Sequence, residues 1–474
     1  MKIEQIYTGC LAEAAYYIES KGEAAIIDPL RETKPYVDKA DRNGANIKYI
    51  LETHFHADFV SGHLDLANKT GATIVFGPTA APAYDVHVAT DGEELKLGDV
   101  TIKVLHTPGH TMESTTYLLI DEKGKEHCIF TGDTLFIGDV GRPDLVQKLK
   151  AEVTQEILAG HLYDSLRTKI MPLADEVIVY PGHGAGSACG KNMCKETTDT
   201  LGHQKATNYA LRADMTKEEF IKAVTDGLVE PPQYFPFNVL LNLKGGMESI
   251  DDIIKRGKNP LSAREFEAIW ESMDALVLDT RKTQEFTTEH IPGSIFIGID
   301  DSFAPWVGTL ITDLKQPILF VADEGREEEV ILRLARVGYD HTIGFLNGGI
   351  PAWKQAGYET EVIKEISADD FATLYQMDNV HTHLLDARRK SEYESEHLLG
   401  AENFPLDFIN QNMAQLDRHK KYFIHCAGGY RSVIMCSILK SRGFDHLVNI
   451  RGGYKALSQT GLAKTKFVEP KTML

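Results

Sequence analysis

Four segments of this 474-residue chain place histidine or aspartate just after an apolar run. Tyr49-Ile50-Leu51 leads to His54-Phe55-His56-Ala57-Asp58, and Val104-Leu105 leads to His106-Thr107-Pro108-Gly109-His110. Cys128-Ile129-Phe130 leads to Thr131-Gly132-Asp133, and Val177-Ile178-Val179-Tyr180 leads to Pro181-Gly182-His183. Imidazole and carboxylate are the ligands that suit zinc and non-haem iron. The pattern predicts one or two metal ions held by loops at strand ends, with His54, His110 and Asp133 as the core set.

A second chemistry lies far downstream. Cys426-Ala427-Gly428-Gly429-Tyr430-Arg431-Ser432 follows the run Tyr422–Ile424 and opens a helical pattern with Val433, Cys436 and Leu439 on one face. A thiolate at a helix N-terminus is stabilised by the helix dipole and by unpaired N–H groups. Two glycines let the loop curl so that several N–H groups point inward as an anion nest. Arg431 adds positive charge. Such a cradle holds the extra negative charge of a cysteine persulfide or a bound thiosulfate. Cys426 and Arg431 are therefore the catalytic candidates, and Ala427, Gly428, Gly429 and Tyr430 the substrate cradle. Cys436, on the following helix, reads as core.

The elements that must position these groups are those of an α/β protein. With 43% hydrophobic and 25% charged residues the chain can build full cores, and its length suggests two to four domains. A net charge of −19 argues against nucleic acid and anionic membrane surfaces as partners. The start lacks a basic stretch followed by an apolar one, and no apolar run reaches ~18 residues, so neither a signal peptide nor a membrane span is expected. Six scattered cysteines suit free thiols in a reducing cytoplasm.

Residues 1–245 alternate short apolar runs with Gly/Pro/Asp-rich turns, with helical patterns at Glu152–Ser165 and Lys195–Ala213. Residues 244–260 read as a connector. Beyond them the sequence repeats. Leu276-Val277-Leu278-Asp279-Thr280-Arg281, Glu285-Phe286 and His290-Ile291-Pro292-Gly293 are matched by Leu384-Leu385-Asp386-Ala387-Arg388, Glu392-Tyr393 and His397-Leu398-Leu399-Gly400. Each copy continues with an apolar strand, Ile318–Val321 or Tyr422–Ile424. Each closes on a glycine pair, Gly348-Gly349 or Gly452-Gly453. A period of about 105 residues is too long for a solenoid unit and indicates a duplicated α/β domain. The copies differ at the loop: Asp323 stands opposite Cys426 and Glu328 opposite Arg431. Without a thiol, and with carboxylates that repel a sulfane anion, the first copy is expected to be inactive.

Residues 1–245 resemble the metallo-β-lactamase superfamily in Thr53-His54-Phe55-His56-Ala57-Asp58, Thr107-Pro108-Gly109-His110-Thr111, Gly132-Asp133-Thr134-Leu135-Phe136 and Pro181-Gly182-His183-Gly184. The resemblance implies an αββα sandwich. The superfamily's hydrolases carry a histidine after the aspartate, which helps to bind a second metal; here Phe59 occupies that position. His63, four residues on, is a candidate replacement or a surface or core histidine. Together with Gly138-Asp139-Val140-Gly141-Arg142-Pro143-Asp144 and Ile27-Asp28-Pro29, this departure makes the region similar to persulfide dioxygenases. That likeness implies one Fe(II) per chain, with zinc the alternative, held by His54, His110 and Asp133 with positions open for substrate sulfur and O₂. His56, Asp58 and His183 would then orient ligands or hold water, and His56 stays open as a ligand. Arg142 reads as a substrate anchor or a loop salt bridge. Lys191, in the glycine-rich run after Gly184, is a candidate anchor for a substrate carboxylate or phosphate. Cys189 reads as a small buried filler.

The Cys426 loop, with Asp386, Arg388, Glu392, Tyr393, His397, Gly400 and Arg451-Gly452-Gly453, resembles rhodanese sulfurtransferases. The whole chain is thus similar to persulfide dioxygenase–rhodanese fusions. The implied organisation is a dioxygenase domain over 1–245, a degenerate rhodanese domain over 262–361 and an intact one over 366–474. The implied partners are a low-molecular-weight thiol persulfide, O₂, and sulfite or thiosulfate, in a cytoplasmic homo-oligomer serving sulfide detoxification. The rival is a dinuclear zinc thioester hydrolase of the glyoxalase II type fused to a sulfurtransferase.

Overall fold

The computed structural model describes residues 1–145, 153–377 and 382–469. The chain forms two compact units, one built on Met1–Ile250 and the other on Asp251–Leu334 and the described residues from Tyr339 onward.

The first unit contains two six-stranded sheets. One holds, in chain and spatial order, β1 (Lys2–Thr8), β2 (Glu13–Ser20), β3 (Glu23–Ile27), β4 (Asn46–Leu51), β5 (Thr73–Phe76) and β6 (His87–Val88). The other holds β7 (Glu94–Leu97), β8 (Val100–His106), β9 (Thr115–Ile120), β10 (Glu126–Gly132), β11 (Ile178–Pro181) and β12 (Asp199–Thr200). Strand alternation builds three apolar layers from these two sheets. Tyr16, Ile18 and Leu51 meet Ile102, Val104, Tyr117, Leu119, Cys128 and Phe130 between the sheets. The intervening side chains face outward. Ala15, Tyr17 and Ile50 pack with Tyr36 of α1 (Lys34–Asn43) and Leu66 of α2 (His63–Thr70). Leu118 and Ile129 pack with Ala159 and Leu162 of α3 (Gln155–Ser165), Leu201 of α4 (Leu201–Thr207) and Phe220 of α5 (Lys217–Thr225). α6 (Phe235–Lys244) adds Val239 and Leu243 to the first outer layer. The result is the αββα sandwich expected from the sequence. Each fully buried aliphatic or aromatic side chain contributes roughly 1.5–3 kcal/mol.

Three local expectations need correction. The helix placed at 195–213 is α4 followed by a tight turn at Tyr209–Leu211. Thr200 starts α4 by accepting the His203 N–H, and the Asn208 side chain accepts from Ala210 N and starts the next turn. The helix placed at 152–165 begins at Gln155 with Thr154 as its cap, and Glu152 lies outside the described residues. The connector at 244–260 contains α7 (Ile250–Gly257), with buried Ile250 and Ile253 at helical spacing. Asp251 and Asp252 in its first turn and Lys255 and Arg256 in its last complement the helix dipole.

The second unit shows the duplication directly. Its first sheet has strands β13 (Pro260–Leu261), β14 (Leu276–Asp279), β15 (Ile295–Phe296), β16 (Ile318–Val321) and β17 (Thr342–Leu346), in the order 13-17-16-14-15. Its second has β18 (Glu365–Ile366), β19 (His383–Asp386), β20 (Glu402–Asn403), β21 (Tyr422–His425) and β22 (Leu447–Ile450), in the order 18-22-21-19-20. All pairings in both sheets are parallel, so functional loops are expected at the carboxyl ends of the strands. Among the described residues no helix is long and apolar enough to cross a membrane.

Candidate metal centre and thiol loop

β4 ends at Leu51, β8 at His106 and β10 at Gly132, and the next few residues of each chain segment bring His54, His110 and Asp133 together. All three are buried. The Thr53 hydroxyl donates to Asp28 Oδ2 (2.8 Å), so it accepts the Nδ1 proton of His54 at 2.9 Å. His110 Nδ1 lies 2.8 Å from the Arg142 carbonyl oxygen, which can only accept. Both imidazoles therefore use an Nδ1 proton in these bonds and turn Nε2 toward Asp133. Those Nε2 atoms sit 3.9 and 3.4 Å from Asp133 Oδ2. His110 Nε2 and both Asp133 oxygens have no hydrogen-bond partner among the described residues. Burial, reinforced by His56, His110 and His183, holds the His54 imidazole neutral well below its ordinary range. Two buried imidazoles and a buried carboxylate, with His110 Nε2 and both Asp133 oxygens left without a hydrogen-bond partner, fit a divalent metal.

The backbone around Asp133 has no slack. A Cβ at Gly141 would lie 1.9 Å from the Asp133 carbonyl oxygen and 3.0 Å from His110 Nδ1, and one at Gly182 would lie 2.8 Å from Asp133 Oδ1. Gly141→Ala is accordingly expected to cost about 1–3 kcal/mol by overpacking. It should also lower the metal content per chain, as read by urea unfolding and elemental analysis. Unchanged metal occupancy would show that the 138–142 loop does not set the site.

His56 turns elsewhere. Its Nε2 lies 3.1 Å from Asp28 Oδ1 and 3.4 Å from Glu52 Oε2, and its ring stacks on Phe59 at 4.2 Å. Against the cost of burial, these two carboxylates hold His56 well above the ordinary imidazole range. Asp28 stands at φ +48°, a left-handed conformation rare for a residue with a Cβ, and also accepts from Thr53 N at 2.7 Å. His63, the candidate replacement ligand, is a core histidine. It lies 3.5 Å from Glu52, stacks on Tyr84 and meets Phe76 edge-on.

On the other side of Asp133, Asp58, His183 and Cys189 converge, all buried. His183 Nε2 lies 3.4 Å from Asp58 Oδ2 and 3.6 Å from Asp133 Oδ1. Burial, with Asp58 and Asp133 nearby, pushes the Cys189 thiol well above its ordinary range. Arg142 and Lys191, the two candidate substrate anchors, both have partners within the protein. The Arg142 guanidinium pairs with Asp144 through two contacts (2.6 and 2.8 Å) and donates to the carbonyls of Ala188 and Val229. It braces the loop, as the salt-bridge alternative anticipated. Lys191 Nζ donates to the Ala223 and Asp226 carbonyls at the end of α5.

In the second unit, Cys426 follows β21 and is buried. Its sulfur accepts the Gly429 N–H at 3.1 Å and lies 3.5 Å from the Ser432 hydroxyl, and Gly429 stands at φ +117° at the start of the helix Tyr430–Ser441. Ala427 and Gly428 complete the curl. Arg431 is held by Glu392 through two contacts (2.5 and 2.7 Å), while the Tyr430 hydroxyl donates to the Gly298 carbonyl of the first copy. The closing glycine pair has a steric cause. A Cβ on Gly453 would lie 2.4 Å from the Cys426 carbonyl oxygen, and the Tyr454 and Lys455 N–H groups donate to the carbonyls of Cys426 and Ala427. The first copy keeps the frame, with Arg281 on Asp279 as Arg388 is on Asp386, but its loop holds Arg326 paired to Asp300 and Glu329.

The site-residue expectations passed over several contributors. Thr53 and Glu52 adjoin the ligand motif, and Glu392 and Ser432 stand inside quoted motifs, so proximity was the available signal. Asp28 was noticed only as part of Ile27-Asp28-Pro29.

Comparison with known proteins gives matches in three stretches of the chain. Residues 8–183 match the metallo-beta-lactamase superfamily, and residues 262–356 and 367–460 each match the rhodanese-like domain. The chain is 28% identical over 229 residues to the human mitochondrial persulfide dioxygenase ETHE1, covering 48% of this chain and 81% of that protein. It is 30% identical over 194 residues to hydroxyacylglutathione hydrolase GloC of Haemophilus influenzae, covering 36% of this chain and 85% of that protein. A crystal structure described as a metallo-beta-lactamase from Staphylococcus aureus subsp. aureus COL aligns with a TM-score of 0.63 and 31% identity, over 73% of this chain and 98% of that one.

Proposed function

We propose a function from one premise: the chain belongs to the metallo-β-lactamase superfamily and carries two rhodanese-like domains behind that unit. In this proposal the first unit oxidises a low-molecular-weight thiol persulfide with O₂. The balanced reaction is RSSH + O₂ + H₂O → RSH + SO₃²⁻ + 2H⁺. The observation that carries it is the three-ligand set His54, His110 and Asp133, with His56 diverted to Asp28 and Glu52 and Phe59 in place of a further histidine. Two imidazoles and one carboxylate are the ligand set of non-haem Fe(II) oxygenases. Bound there, Fe(II) would supply the open positions for sulfur and O₂. Thr53 and the Arg142 carbonyl hold the two imidazole tautomers, and Phe59 lends an apolar wall.

Cys426 is the sulfur-transfer nucleophile. Its thiolate attacks the sulfane sulfur of thiosulfate, the S–S bond breaks, and sulfite leaves: Cys–S⁻ + S₂O₃²⁻ → Cys–S–S⁻ + SO₃²⁻. In reverse, a Cys426 persulfide charged by RSSH passes its sulfur to sulfite and forms thiosulfate. The role is sulfide detoxification, and a cytoplasmic setting and homo-oligomeric assembly belong to the same proposal. The thioester-hydrolase reading has its own support in the likeness to hydroxyacylglutathione hydrolases. Elemental analysis of protein purified without air separates the two. One iron per chain is expected, and zinc in the place of all iron would overturn the dioxygenase reading.

A further inference from the structure

The first rhodanese-like copy has no thiol in its loop but has a cavity beside it, and we propose that this cavity binds a small zwitterion of the α-amino-acid class. The cavity measures about 270 Å³ and is lined by Arg281 and Lys282 from one segment and by Gly298, Asp300 and Asp301 from another. That is just below the ~300–1,000 Å³ typical of pockets for drug-sized ligands, so the occupant is small. The site rests on this copy's own residues and stands apart from the chemistry proposed at the metal centre and at Cys426.

The duplication shows what differs here. In the first copy the Ile297 and Ile299 N–H groups donate to the carbonyls of Asp279 and Thr280. In the second copy the Phe404 and Leu406 N–H groups donate to those of Asp386 and Ala387. These matching bonds make Lys282 the counterpart of Arg389, Asp300 that of Asp407, Gly298 that of Pro405 and Asp301 that of Phe408. In the second copy Arg389 Nε lies 3.3 Å from Asp407 Oδ1, so an ion pair spans the two segments. In the first copy that pair is open. Asp300 turns instead to Arg326 of the thiol-free loop, at 2.6 Å.

The remaining charges then select the ligand. Arg281 is held by Asp279 at 2.7 Å, and Arg326 by Asp300 and Glu329, so these charges are matched within the protein. Lys282 and Asp301 have no side-chain ion pair or hydrogen bond among the described residues. The cavity therefore presents one ammonium and one carboxylate. Partial desolvation, with Asp300 alongside, raises the Asp301 carboxyl above its ordinary range, a shift that a bound cation opposes. A simple anion would meet Lys282 but also face Asp301, and a simple cation would meet the reverse. A molecule carrying both charges a few bonds apart satisfies both. Gly298 is held in place, since its carbonyl accepts the Tyr430 hydroxyl at 3.0 Å. Amino-acid thiols belong to this ligand class. Their presence here as released carriers would rest on the function proposed above, whereas the site itself does not.

Ligand-observed saturation-transfer NMR titrations of the full-length protein test the site with three thioethers. S-methyl-L-cysteine carries both charges, methylthioethylamine only the ammonium, and methylthiopropionate only the carboxylate. None has a free thiol to react with Cys426. The zwitterion should bind with a millimolar dissociation constant, because Lys282 and Asp301 are exposed and such pairs are individually weak. Each single-charge analogue should bind at least fivefold more weakly. Lys282→Gln should erase the zwitterion's advantage over the amine and keep its advantage over the acid. Asp301→Asn should do the converse, and the advantage each variant keeps shows that it is folded. Equal binding of the three ligands by the wild-type chain would overturn the proposal. So would the absence of saturable zwitterion binding, or an advantage unchanged by both substitutions. None of these results would touch the reactions proposed at the metal centre and at Cys426, which are read by oxygen uptake and sulfur transfer.

Discussion

Replacing His110 by alanine is expected to abolish persulfide-dependent oxygen uptake while leaving sulfur transfer at Cys426 intact. His110 has no exposed surface and no role in the core clusters, so its loss acts chiefly on the centre. The deletion removes one of two Nε2 atoms facing Asp133 and frees the Arg142 carbonyl from its Nδ1 partner. A two-His, one-carboxylate set reduced to one imidazole and one carboxylate holds its metal weakly. The loss in rate should reach roughly three orders of magnitude, equivalent to about 4 kcal/mol of transition-state stabilisation. Oxygen-electrode traces with a thiol persulfide, read beside the iron content, give the measurement. Substantial uptake by an iron-free variant would remove the metal centre from the reaction. Thiosulfate sulfurtransferase activity of the same preparation controls for folding of the second unit.

Much of this centre was legible because its geometry is written at strand ends. Apolar runs closed by Gly, Pro, His and Asp can end in few other ways, and β4, β8, β10 and β11 each end at or within three residues of one of them. The duplicated domain was equally legible, since Asp279 with Arg281 and Asp386 with Arg388 form the same internal pair. What failed to show was the partner of each charge. Arg142 reads as an anion anchor or a loop salt bridge and Lys191 as an anion anchor; besides Asp144, their partners are backbone carbonyls, which carry no residue-type signature. His56 belongs to the same motif as His54, but its direction is set by Asp28 and Glu52 at the ends of β3 and β4. Cys189 is buried, as a small filler would be, and what the sequence does not show is that Asp58 and His183 converge on it from distant loops. The helix at 195–213 was misjudged because Thr200 and Asn208 break it by capping.

Cys426→Ser should give the complementary result: sulfur transfer lost, persulfide-dependent oxygen uptake retained. Serine preserves the size of the side chain and can still accept the Gly429 N–H, so the loop should keep its curl. It cannot carry a sulfane sulfur, because an alkoxide is inaccessible near neutral pH and an O–S link offers no disulfide exchange. The loss in thiosulfate sulfurtransferase rate should therefore be roughly a thousandfold or more, again about 4 kcal/mol. Arg431 sharpens the contrast. Its guanidinium is already held by Glu392, so it acts as a positioned charge over the nest and cannot take over the nucleophile's part. In product terms, the variant fed a thiol persulfide and O₂ should accumulate sulfite, and the wild-type chain should convert part of it to thiosulfate. The measurement is the sulfite-to-thiosulfate ratio alongside oxygen uptake. If uptake vanished with transfer, the oxidation would require sulfur delivered through Cys426, and the scheme of two separable reactions would be wrong. If thiosulfate continued to form at the wild-type rate, sulfite would be meeting its sulfur elsewhere, and the Cys426 loop would lose its assigned role.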